Sequence, residues 1–174
     1  MGADKALVEV GGRAMAAIVA GALWSAGATE VTAVGGDARR LAGLGLRTVP
    51  DASPGEGPLG GLLTALAAAA HDVVAVLACD LPCASAAAVD AVVVALTADP
   101  SAGVAVPLVA GRAHPLHAAW RRSVVEERLA RAFAGGQRAV HPLLEVVGMV
   151  AVADIDPTAL TDADSADDLR TMGT

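Results

Sequence analysis

The chain has 174 residues and a formal net charge of −7, and 55% of its residues are hydrophobic while Phe, Trp and Tyr together make up 2%. This length suits one domain with its own core, and no stretch resembles a linker, so we predict a single domain over residues 1–174. The acidic balance argues against a nucleic-acid partner, which needs a clustered basic surface. Small anions are not excluded, because helix N-termini and bound metal ions hold phosphates on acidic proteins.

The hydropathy pattern contains no candidate membrane span. No uninterrupted apolar run reaches about 18 residues, and the longest candidate, residues 15–23, is too short to cross a bilayer. The two cysteines, Cys79 and Cys83, are too few for a metal site of their own, and a chain of this size rarely needs a disulfide. We therefore expect reduced thiols, no membrane partner and a cytoplasmic location.

The first half of the chain alternates short apolar runs with helical spacings. Glycines and prolines separate these runs at Gly11, Gly27 and Pro50, where turns or helix ends are favoured. The predicted elements are an extended arm at residues 7–10, a helix over 13–26, a strand at 31–34, a helix from about residue 38 and a strand at 46–49.

The second half continues this alternation. The predicted elements are a helix over residues 62–70, a strand at 73–79, a helix over 85–97 capped by Ser85, a strand at 103–108, a returning strand within 111–120, a helix over 121–133, a strand at 147–152 and a short helix within 162–169. Strands that alternate with helices are typical of a three-layer α/β/α sandwich with a mostly parallel sheet. We predict this fold class for the chain.

The run at residues 73–79 is the clearest strand in the sequence. Six of its seven residues are Val, Leu or Ala without polar alternation, which is typical of a strand buried on both faces of a parallel sheet. Asp80 and Pro82 follow where this strand must end. Ligands bind at the carboxyl ends of strands in open α/β sheets, so the Asp80 carboxylate is a candidate metal ligand. The alternative is that Asp80 caps the next helix or starts a turn.

The most glycine-rich loop, residues 52–61, leads directly into a predicted helix. Gly57, Gly60 and Gly61 leave backbone N–H groups uncovered by side chains. Because a helix N-terminus favours negative charge, this loop is a candidate cradle for an anion such as a phosphate. An ordinary connection between a strand and a helix is the alternative.

Two acidic residues, Asp51 and Asp80, stand at strand ends on either side of this loop and its helix. If the two strands are neighbours, both carboxylates face one crevice together with the helix N-terminus. A hard cation held by carboxylates and substrate phosphates suits phosphoryl transfer, because the ion offsets the charge that develops during the reaction. Lys5 is a candidate phosphate-binding cation from the N-terminal arm, and a solvated surface lysine is its alternative.

Other familiar catalytic patterns are missing from the sequence. It contains no serine elbow, no Cys/His pair of known spacing and no Walker lysine motif. His114 and His117 are three residues apart, but Pro115 between them argues against a helical metal pair, and no third ligand is obvious. We expect structural roles for the histidines, although the loop at His114 can reach the crevice.

Five segments form a further pattern when they are compared together in chain order. They are Met1-Gly2-Ala3-Asp4-Lys5, Gly57-Pro58-Leu59-Gly60-Gly61-Leu62, Ala78-Cys79-Asp80-Leu81-Pro82, His114-Pro115-Leu116 and residues 162–169. In that order they resemble five motifs of the MobA-like nucleotidyltransferases that make the molybdenum cofactor guanine dinucleotide. The motifs are the end of Leu-Ala-Gly-Gly-x-Ser-x-Arg-Met-Gly-x-Asp-Lys, then Gly-Pro-Leu-x-Gly-Leu, Pro-Cys-Asp-x-Pro, a His-Pro or Gln-Pro element, and Asn-x-Asn-Thr-Pro-Glu-Asp-Leu.

This resemblance implies a Rossmann-like fold of the nucleotide-diphospho-sugar-transferase type and a Mg²⁺-dependent guanylyltransferase. Such an enzyme joins GMP from GTP to molybdopterin and releases pyrophosphate. The resemblance implies catalytic roles for Lys5 and Asp80, with the molybdopterin phosphate attacking the α-phosphorus without a covalent enzyme intermediate. The residues that it implies at the nucleotide are Lys5, Asp51, Gly57, Pro58, Leu59, Gly60 and Asp80, and those at Mg²⁺ are Asp80 and Asp164.

The same resemblance sets the expected partners. We expect GTP and molybdopterin as substrates and a monomer or weak homo-oligomer. We also expect transient contacts with molybdenum cofactor enzymes and with other proteins of cofactor biosynthesis.

The sequence departs from the family pattern at three places. Met1 coincides with the internal methionine of the signature, so the first strand and the Leu-Ala-Gly-Gly loop are absent, through a late start or a truncation. Asp162 and Asp164 replace asparagines, and Ala166 replaces a proline. Two alternatives stay open: a cytidylyltransferase of the same cofactor, whose relatives tend to show Asp-Gln-Pro at the strand end, and a non-catalytic nucleotide- or pterin-binding protein, which the absent loop makes credible.

Overall fold

The computed structural model describes residues 4–163. Within that range the helices are α1 (Met15–Ser25), α2 (Ala38–Gly43), α3 (Pro58–Ala68), α4 (Ala86–Ala98) and α5 (Arg122–Ala134). The strands are β1 (Glu9–Val10), β2 (Arg13–Ala14), β3 (Thr32–Val34), β4 (Arg47–Val49), β5 (Val73–Leu77), β6 (Val104–Val109), β7 (Arg112–Ala113), β8 (His117–Arg121) and β9 (Met149–Val152). None of these helices is long and apolar enough to cross a membrane.

The main sheet is built on β5, β8, β6 and β9. Strand β8 pairs antiparallel with both β5 and β6, and β9 pairs in parallel with the other edge of β6. Because β5 and β6 both run against β8, the strands β5, β6 and β9 share one direction and β8 is the reversed strand. Strand β7 forms a hairpin with the end of β6. Separately, β3 and β4 form a parallel pair, and β1 and β2 form a small antiparallel ribbon.

Helices cover both faces of the main sheet. Successive residues of a strand point to opposite faces, so Val104 and Trp120 pack into a cluster with α3 and α5, whereas Ala105 and Ala119 pack into a cluster with α4. Helix α1 lies against α4. The predicted three-layer α/β/α sandwich is therefore confirmed. Its central side chains are small apart from Trp120, which is fully buried.

Some predicted boundaries differ from the structure. Helix α3 begins at Pro58, four residues before the predicted start, because proline is favoured in the first helical turn and lacks only an N–H that would have no partner there. Residues 13 and 14 pair with β1 as strand β2 before α1 begins. Ser85 caps α4 as predicted, since its hydroxyl accepts a hydrogen bond from the Ala88 N–H. Most of the predicted helix within 162–169 lies outside the described residues.

The β3/β4 pair and the main sheet are not joined by backbone pairing anywhere in residues 4–163. Strand β3 pairs with β4 and strand β5 with β8, and the edges of β3 and β5 that face each other carry no strand partner in that range. Consequently β4 and β5 are not neighbours. The expectation that Asp51 and Asp80 share a crevice assumed that these strands are neighbours, and this assumption was wrong. All residues of β3 and β5 are half-buried.

Substitution of Gly103 by alanine tests the close packing at the start of β6. A Cβ at this position would lie 2.7 Å from Cγ1 of Val125 and would also collide with the Val147 carbonyl oxygen. We expect Gly103→Ala to lower the free energy of unfolding by about 3 kcal/mol, as overpacked cores do. Chemical denaturation at equilibrium measures this loss.

Gly61→Ala is the matched control. Gly61 lies inside α3, and a Cβ there would meet nothing within 4 Å. Because alanine is the better helix former, this variant should gain roughly 0.5–1 kcal/mol. Equal unfolding midpoints for the two variants would contradict the packing described at Gly103.

Candidate functional site

The structure brings Lys5 and Asp80 together beyond the carboxyl end of β5. The Lys5 ammonium lies 3.5 Å from an Asp80 carboxylate oxygen, and the two side chains are 36% and 22% exposed. The backbone around Asp80 is fixed on both sides. The Ala78 N–H donates to the Leu116 carbonyl, and the Asp80 carbonyl accepts from the Ala163 N–H. Asp80 is thus a fixed, solvent-accessible carboxylate with a cation beside it.

The N-terminal arm is anchored by Asp4. One carboxylate oxygen of Asp4 accepts from the Ala6 N–H at 3.2 Å, and the other accepts from the Asp37 N–H, just beyond β3, at 3.2 Å. The Ala6 side chain is buried in a small cluster with α1 and α2. These contacts place Lys5 between the end of β3 and the end of β5.

Asp51 ties the glycine-rich loop to α3. Its carboxylate accepts from the Ser53 N–H at 2.9 Å and lies 3.2 Å from the Thr64 hydroxyl. The same buried hydroxyl lies 3.0 Å from the Gly60 carbonyl and accepts from the Ala52 N–H. Sequence reasoning missed Thr64, although a single hydroxyl within the apolar residues of α3 was a possible signal. The structure thus gives the Asp51 carboxylate a supporting role for the loop.

The loop that contains Gly57 is held by the segment after α5. Gly57 has a φ of +85°, and a Cβ there would lie 3.2 Å from both the Cβ and the carbonyl oxygen of Arg138. The Arg138 carbonyl accepts from the Leu59 N–H, and the Gly57 carbonyl accepts from the Gly60 N–H. Pro58 has no N–H. A phosphate at this end of α3 would therefore meet the helix dipole, while the N–H groups of Leu59 and Gly60 already have partners inside the protein.

Arg138 is a second residue that sequence reasoning missed. Its Nε donates to the Glu56 carboxylate at 2.6 Å, and its guanidinium carbon lies 4.2 Å from the centre of the Phe133 ring. Glu56 and Arg138 are 82 residues apart in the chain, and no local pattern in the sequence connects them. The contact fixes the glycine-rich loop against α5.

The pKa of Cys79 depends on the charges of the neighbouring Asp4, Lys5 and Asp80. Partial desolvation of the thiol, followed by the negative charges of Asp80 and Asp4, raises the Cys79 pKa, which Lys5 opposes only weakly. Although the residue surface is exposed, neighbouring protein atoms partly shield the sulfur. Cys79 and Cys83 are both free thiols, as predicted. The Cys79 thiol is therefore protonated at neutral pH and is not an activated nucleophile.

The histidines near β8 lie in very different environments. His117 is 2% exposed, and neither ring nitrogen has a hydrogen-bond partner in the part of the chain described. Its burial lowers the pKa to about 4, and the nearby His114 contributes. Burial and the charge of Arg112 also lower the His114 pKa, whereas Asp162 acts in the opposite direction. His117 is consequently a neutral core residue at physiological pH.

A divalent cation would find one suitable donor among these residues. No three His, Cys, Asp or Glu side chains within residues 4–163 are grouped to hold a metal by themselves. Mg²⁺, however, is usually bound by one or two carboxylates together with substrate phosphates and water. The accessible Asp80 carboxylate fits this role, whereas the Asp51 carboxylate is engaged by Ser53 and Thr64. Asp164, the other predicted metal ligand, lies outside the described residues.

Comparison with known proteins identifies the family. Residues 1–147 match the family described as the MobA-like NTP transferase domain. The chain belongs to this family. The predicted family assignment is therefore confirmed, and it places the Lys5–Asp80 pair in a nucleotidyltransferase domain.

One curated relative is similar in sequence over part of its length. A stretch of 82 residues is 49% identical to the probable molybdenum cofactor guanylyltransferase of Pelotomaculum thermopropionicum. The matched stretch covers 47% of this chain and 40% of the relative. The match thus spans less than half of that relative.

Two solved structures share the fold. Molybdopterin-guanine dinucleotide biosynthesis protein A of Archaeoglobus fulgidus superposes with a TM-score of 0.77 at 20% identity, over 99% of this chain and 90% of that one. The 2-C-methyl-D-erythritol 4-phosphate cytidylyltransferase of Thermus thermophilus gives a TM-score of 0.72 at 22% identity, over 96% and 91%. At these identities the likeness concerns the fold alone, and it confirms the predicted Rossmann-like, nucleotide-diphospho-sugar-transferase-like class.

The buried His117 generates a prediction about pH. Its pKa is about 4 in the folded protein and 6.5 in the ordinary case, so between these values the unfolded chain holds a proton that the folded chain does not. Stability should therefore fall as the pH falls from about 6.5 to 4, by up to about 3 kcal/mol. Urea unfolding of wild type and His117→Leu at several pH values measures this contribution, which the variant should lose.

His71→Gln is the control for this experiment. His71 is exposed, and its ring contacts the Thr29 hydroxyl at 3.0 Å, so this variant should keep the pH dependence of the wild type. The assignment would be wrong if His117→Leu and wild type lost stability in parallel on acidification.

Proposed function

We propose that this protein transfers GMP from GTP to molybdopterin and releases pyrophosphate. The observation that carries the proposal is the Lys5–Asp80 pair at the carboxyl end of β5 in a chain of the MobA-like NTP transferase family. A cation and a carboxylate at that edge of the sheet suit a nucleoside triphosphate, because ligands of open α/β sheets bind beyond the carboxyl ends of the strands.

In the proposed reaction a phosphate oxygen of molybdopterin forms a bond to the α-phosphorus of GTP. The bond from that phosphorus to the bridging oxygen breaks, and pyrophosphate leaves with the electron pair. Lys5 would bind a phosphate oxygen and offset the charge that develops during this displacement. Mg²⁺ held by Asp80, with Asp164 as a second ligand, would supply further charge neutralisation when bound. The protein contributes position and charge and forms no covalent intermediate.

The glycine-rich loop would lie beside the nucleotide in this proposal. Gly57, Pro58, Leu59 and Gly60 form the start of α3, whose dipole favours an anion. Asp51 would act at the nucleotide mainly through the loop, since its carboxylate is bonded to Ser53 N–H and lies beside the Thr64 hydroxyl. The rigid attachment of this loop supports binding without a large rearrangement.

Two features favour the guanine nucleotide. The loop Gly-Pro-Leu and the strand end Cys-Asp-Leu-Pro resemble the guanylyl branch of the family, and the relative with 49% identity carries the name guanylyltransferase. There are two competing hypotheses: a cytidylyltransferase of the same cofactor, and a non-catalytic nucleotide- or pterin-binding protein. A pyrophosphate-release assay distinguishes them.

The proposal includes the setting of the reaction. We place it in the cytoplasm, which suits two free thiols, with GTP and molybdopterin as the substrates. The protein would act as a monomer or weak homo-oligomer and would make transient contacts with molybdenum cofactor enzymes and biosynthesis proteins.

Nucleotide choice is tested by pyrophosphate release. The 174-residue protein is incubated with Mg²⁺, molybdopterin and either GTP or CTP. We expect release with GTP and a kcat/KM at least about tenfold lower with CTP, a difference of about 1.4 kcal/mol. A preference for CTP would assign the cytidylyl reaction, and release with neither nucleotide would leave only the binding role.

The role of Asp80 is tested by Asp80→Ala. Loss of the carboxylate removes the proposed metal ligand, so we expect kcat to fall by about 10²–10³-fold while the circular dichroism spectrum and unfolding midpoint stay near wild type. Asp90→Ala is the control, because this exposed residue of α4 loses the same charge away from the site. Near wild-type transfer by Asp80→Ala would remove Asp80 from the metal site.

A further inference from the structure

A salt bridge lies at the start of α3, where the glycine-rich loop enters the helix. Nε of Arg138 donates to the Glu56 carboxylate at 2.6 Å, and Glu56 directly precedes Gly57, the residue that caps the amino end of α3. The two side chains are 41% and 51% exposed, and a pair as accessible as this one adds little to stability. Its main effect is therefore on the charge at the start of the helix.

The Arg138 guanidinium is fixed by contacts within the protein. Its Nη1 donates to the Phe133 and Gln137 carbonyl oxygens at 2.9 and 3.0 Å, and its carbon lies 4.2 Å from the centre of the Phe133 ring. The same ring lies against the first turn of α3, since a Cβ on Gly60 would be 3.5 Å from it. With Nε and Nη1 both bonded inside the protein, Arg138 is placed to act on a substrate through the loop.

The backbone of Arg138 holds the loop independently of the guanidinium. Its carbonyl oxygen accepts from the Leu59 N–H at 3.1 Å, and its Cβ and carbonyl oxygen would both lie 3.2 Å from a Cβ built on Gly57. A substitution that changes only the outer part of the Arg138 side chain leaves these backbone contacts possible. The charge of the guanidinium can therefore be tested separately from the attachment of the loop.

The position of Glu56 makes its charge important for any anion at this end of α3. A carboxylate directly before the helix cap lies where the helix dipole favours negative charge, so an unpaired Glu56 would compete with a substrate anion for the same field. The N–H groups of Leu59 and Gly60 already have partners inside the protein, which leaves the dipole as the main attraction there. Pairing with Arg138 gives the two residues together no net charge and leaves that attraction to the substrate.

We propose that Arg138 is a positioning residue for nucleotide binding, which neutralises Glu56 and keeps its carboxylate from competing with the substrate phosphates at the start of α3. The inference rests on the proposed function, because it requires an anionic nucleotide at this end of the helix. It gives Arg138 no contact with the substrate. Loss of the guanidinium should therefore weaken nucleotide binding only while Glu56 carries its charge.

The first test removes the guanidinium charge. Isothermal titration of the 174-residue protein with Mg²⁺ and GTP, or with CTP if the wild type binds it more tightly, measures the Kd. We expect Arg138→Gln to raise the Kd at least about fivefold, because the unpaired Glu56 carboxylate repels the phosphates. Arg138→Lys should stay within about twofold of wild type, since its ammonium still neutralises Glu56. In turnover, KM should rise while kcat is unchanged, as when binding is weakened equally in the ground and transition states.

The second test removes the carboxylate that Arg138 neutralises. The double variant Glu56→Gln/Arg138→Gln should return to within about twofold of the wild-type Kd, because no unpaired charge is left before α3. Glu56→Gln alone should bind the nucleotide at least as tightly as wild type. A double variant that binds as weakly as Arg138→Gln would mean that Arg138 contacts the nucleotide or only supports the fold, and it would overturn the inference.

Arg131→Gln is the matched control. Arg131 belongs to α5 and pairs with Glu127 of the same helix at 2.5 Å, with the two side chains 78% and 85% exposed. This variant loses the same charge and breaks a similar ion pair, but it leaves Glu56 and Arg138 unchanged. We expect the wild-type Kd. Equal weakening by Arg131→Gln and Arg138→Gln would make the effect one of net charge and would refute the role of Arg138.

Hydrogen exchange at the Leu59 amide checks the attachment of the loop. Each variant should keep the wild-type protection, because the Arg138 carbonyl that accepts from this amide is retained. Protection that is lost in Arg138→Gln and not restored by adding Glu56→Gln would assign a purely structural role and overturn the inference. Equal Kd values for wild type and Arg138→Gln would overturn the inference alone. A wild type that binds neither GTP nor CTP would overturn the proposed function and this inference with it.

Discussion

Five residue pairs, from Val73 opposite Arg121 to Leu77 opposite His117, hold β5 against β8. Trp120 and Ala119 of β8 are fully buried on opposite faces of the sheet, so a slip of one residue would exchange the two faces and drive the indole into the wrong layer. This register also sets the hydrogen bond from Ala78 to Leu116. The position of Asp80 beyond the strand therefore follows from the burial of side chains that take no part in its chemistry.

The ion pair between Lys5 and Asp80 has a different role from that of the core. Both side chains are partly exposed and the charged atoms are 3.5 Å apart, and such pairs contribute only about 0–1 kcal/mol to stability. The arm is held instead by the buried Ala6 and by the two backbone hydrogen bonds to Asp4. A phosphate can consequently compete for Lys5 without releasing the arm from the domain.

Local patterns in the sequence predicted the elements that depend on nearby residues. The strand predicted at residues 73–79 follows from its apolar composition, and the Ser85 cap follows from a hydroxyl before a helix. Both are present, although the strand ends at Leu77, two residues before the predicted end. The start of α3 at Pro58 was harder to predict, because Gly60 and Gly61 lower helix propensity while the fold still favours the helix. Its strand-end position suggested Asp80 as a metal ligand, and Lys5 was a separate candidate for binding phosphate. The resemblance to a family then implied catalytic roles for both residues.

Contacts between distant segments were beyond the reach of these patterns. The Arg138–Glu56 pair joins residues 82 positions apart, and the Thr64 contact with Asp51 depends on how α3 lies beside the preceding loop. The pairing of β4 with β3 rather than β5 is likewise a property of topology. Local sequence patterns cannot predict these contacts, because each contact depends on the path of the chain between the two residues.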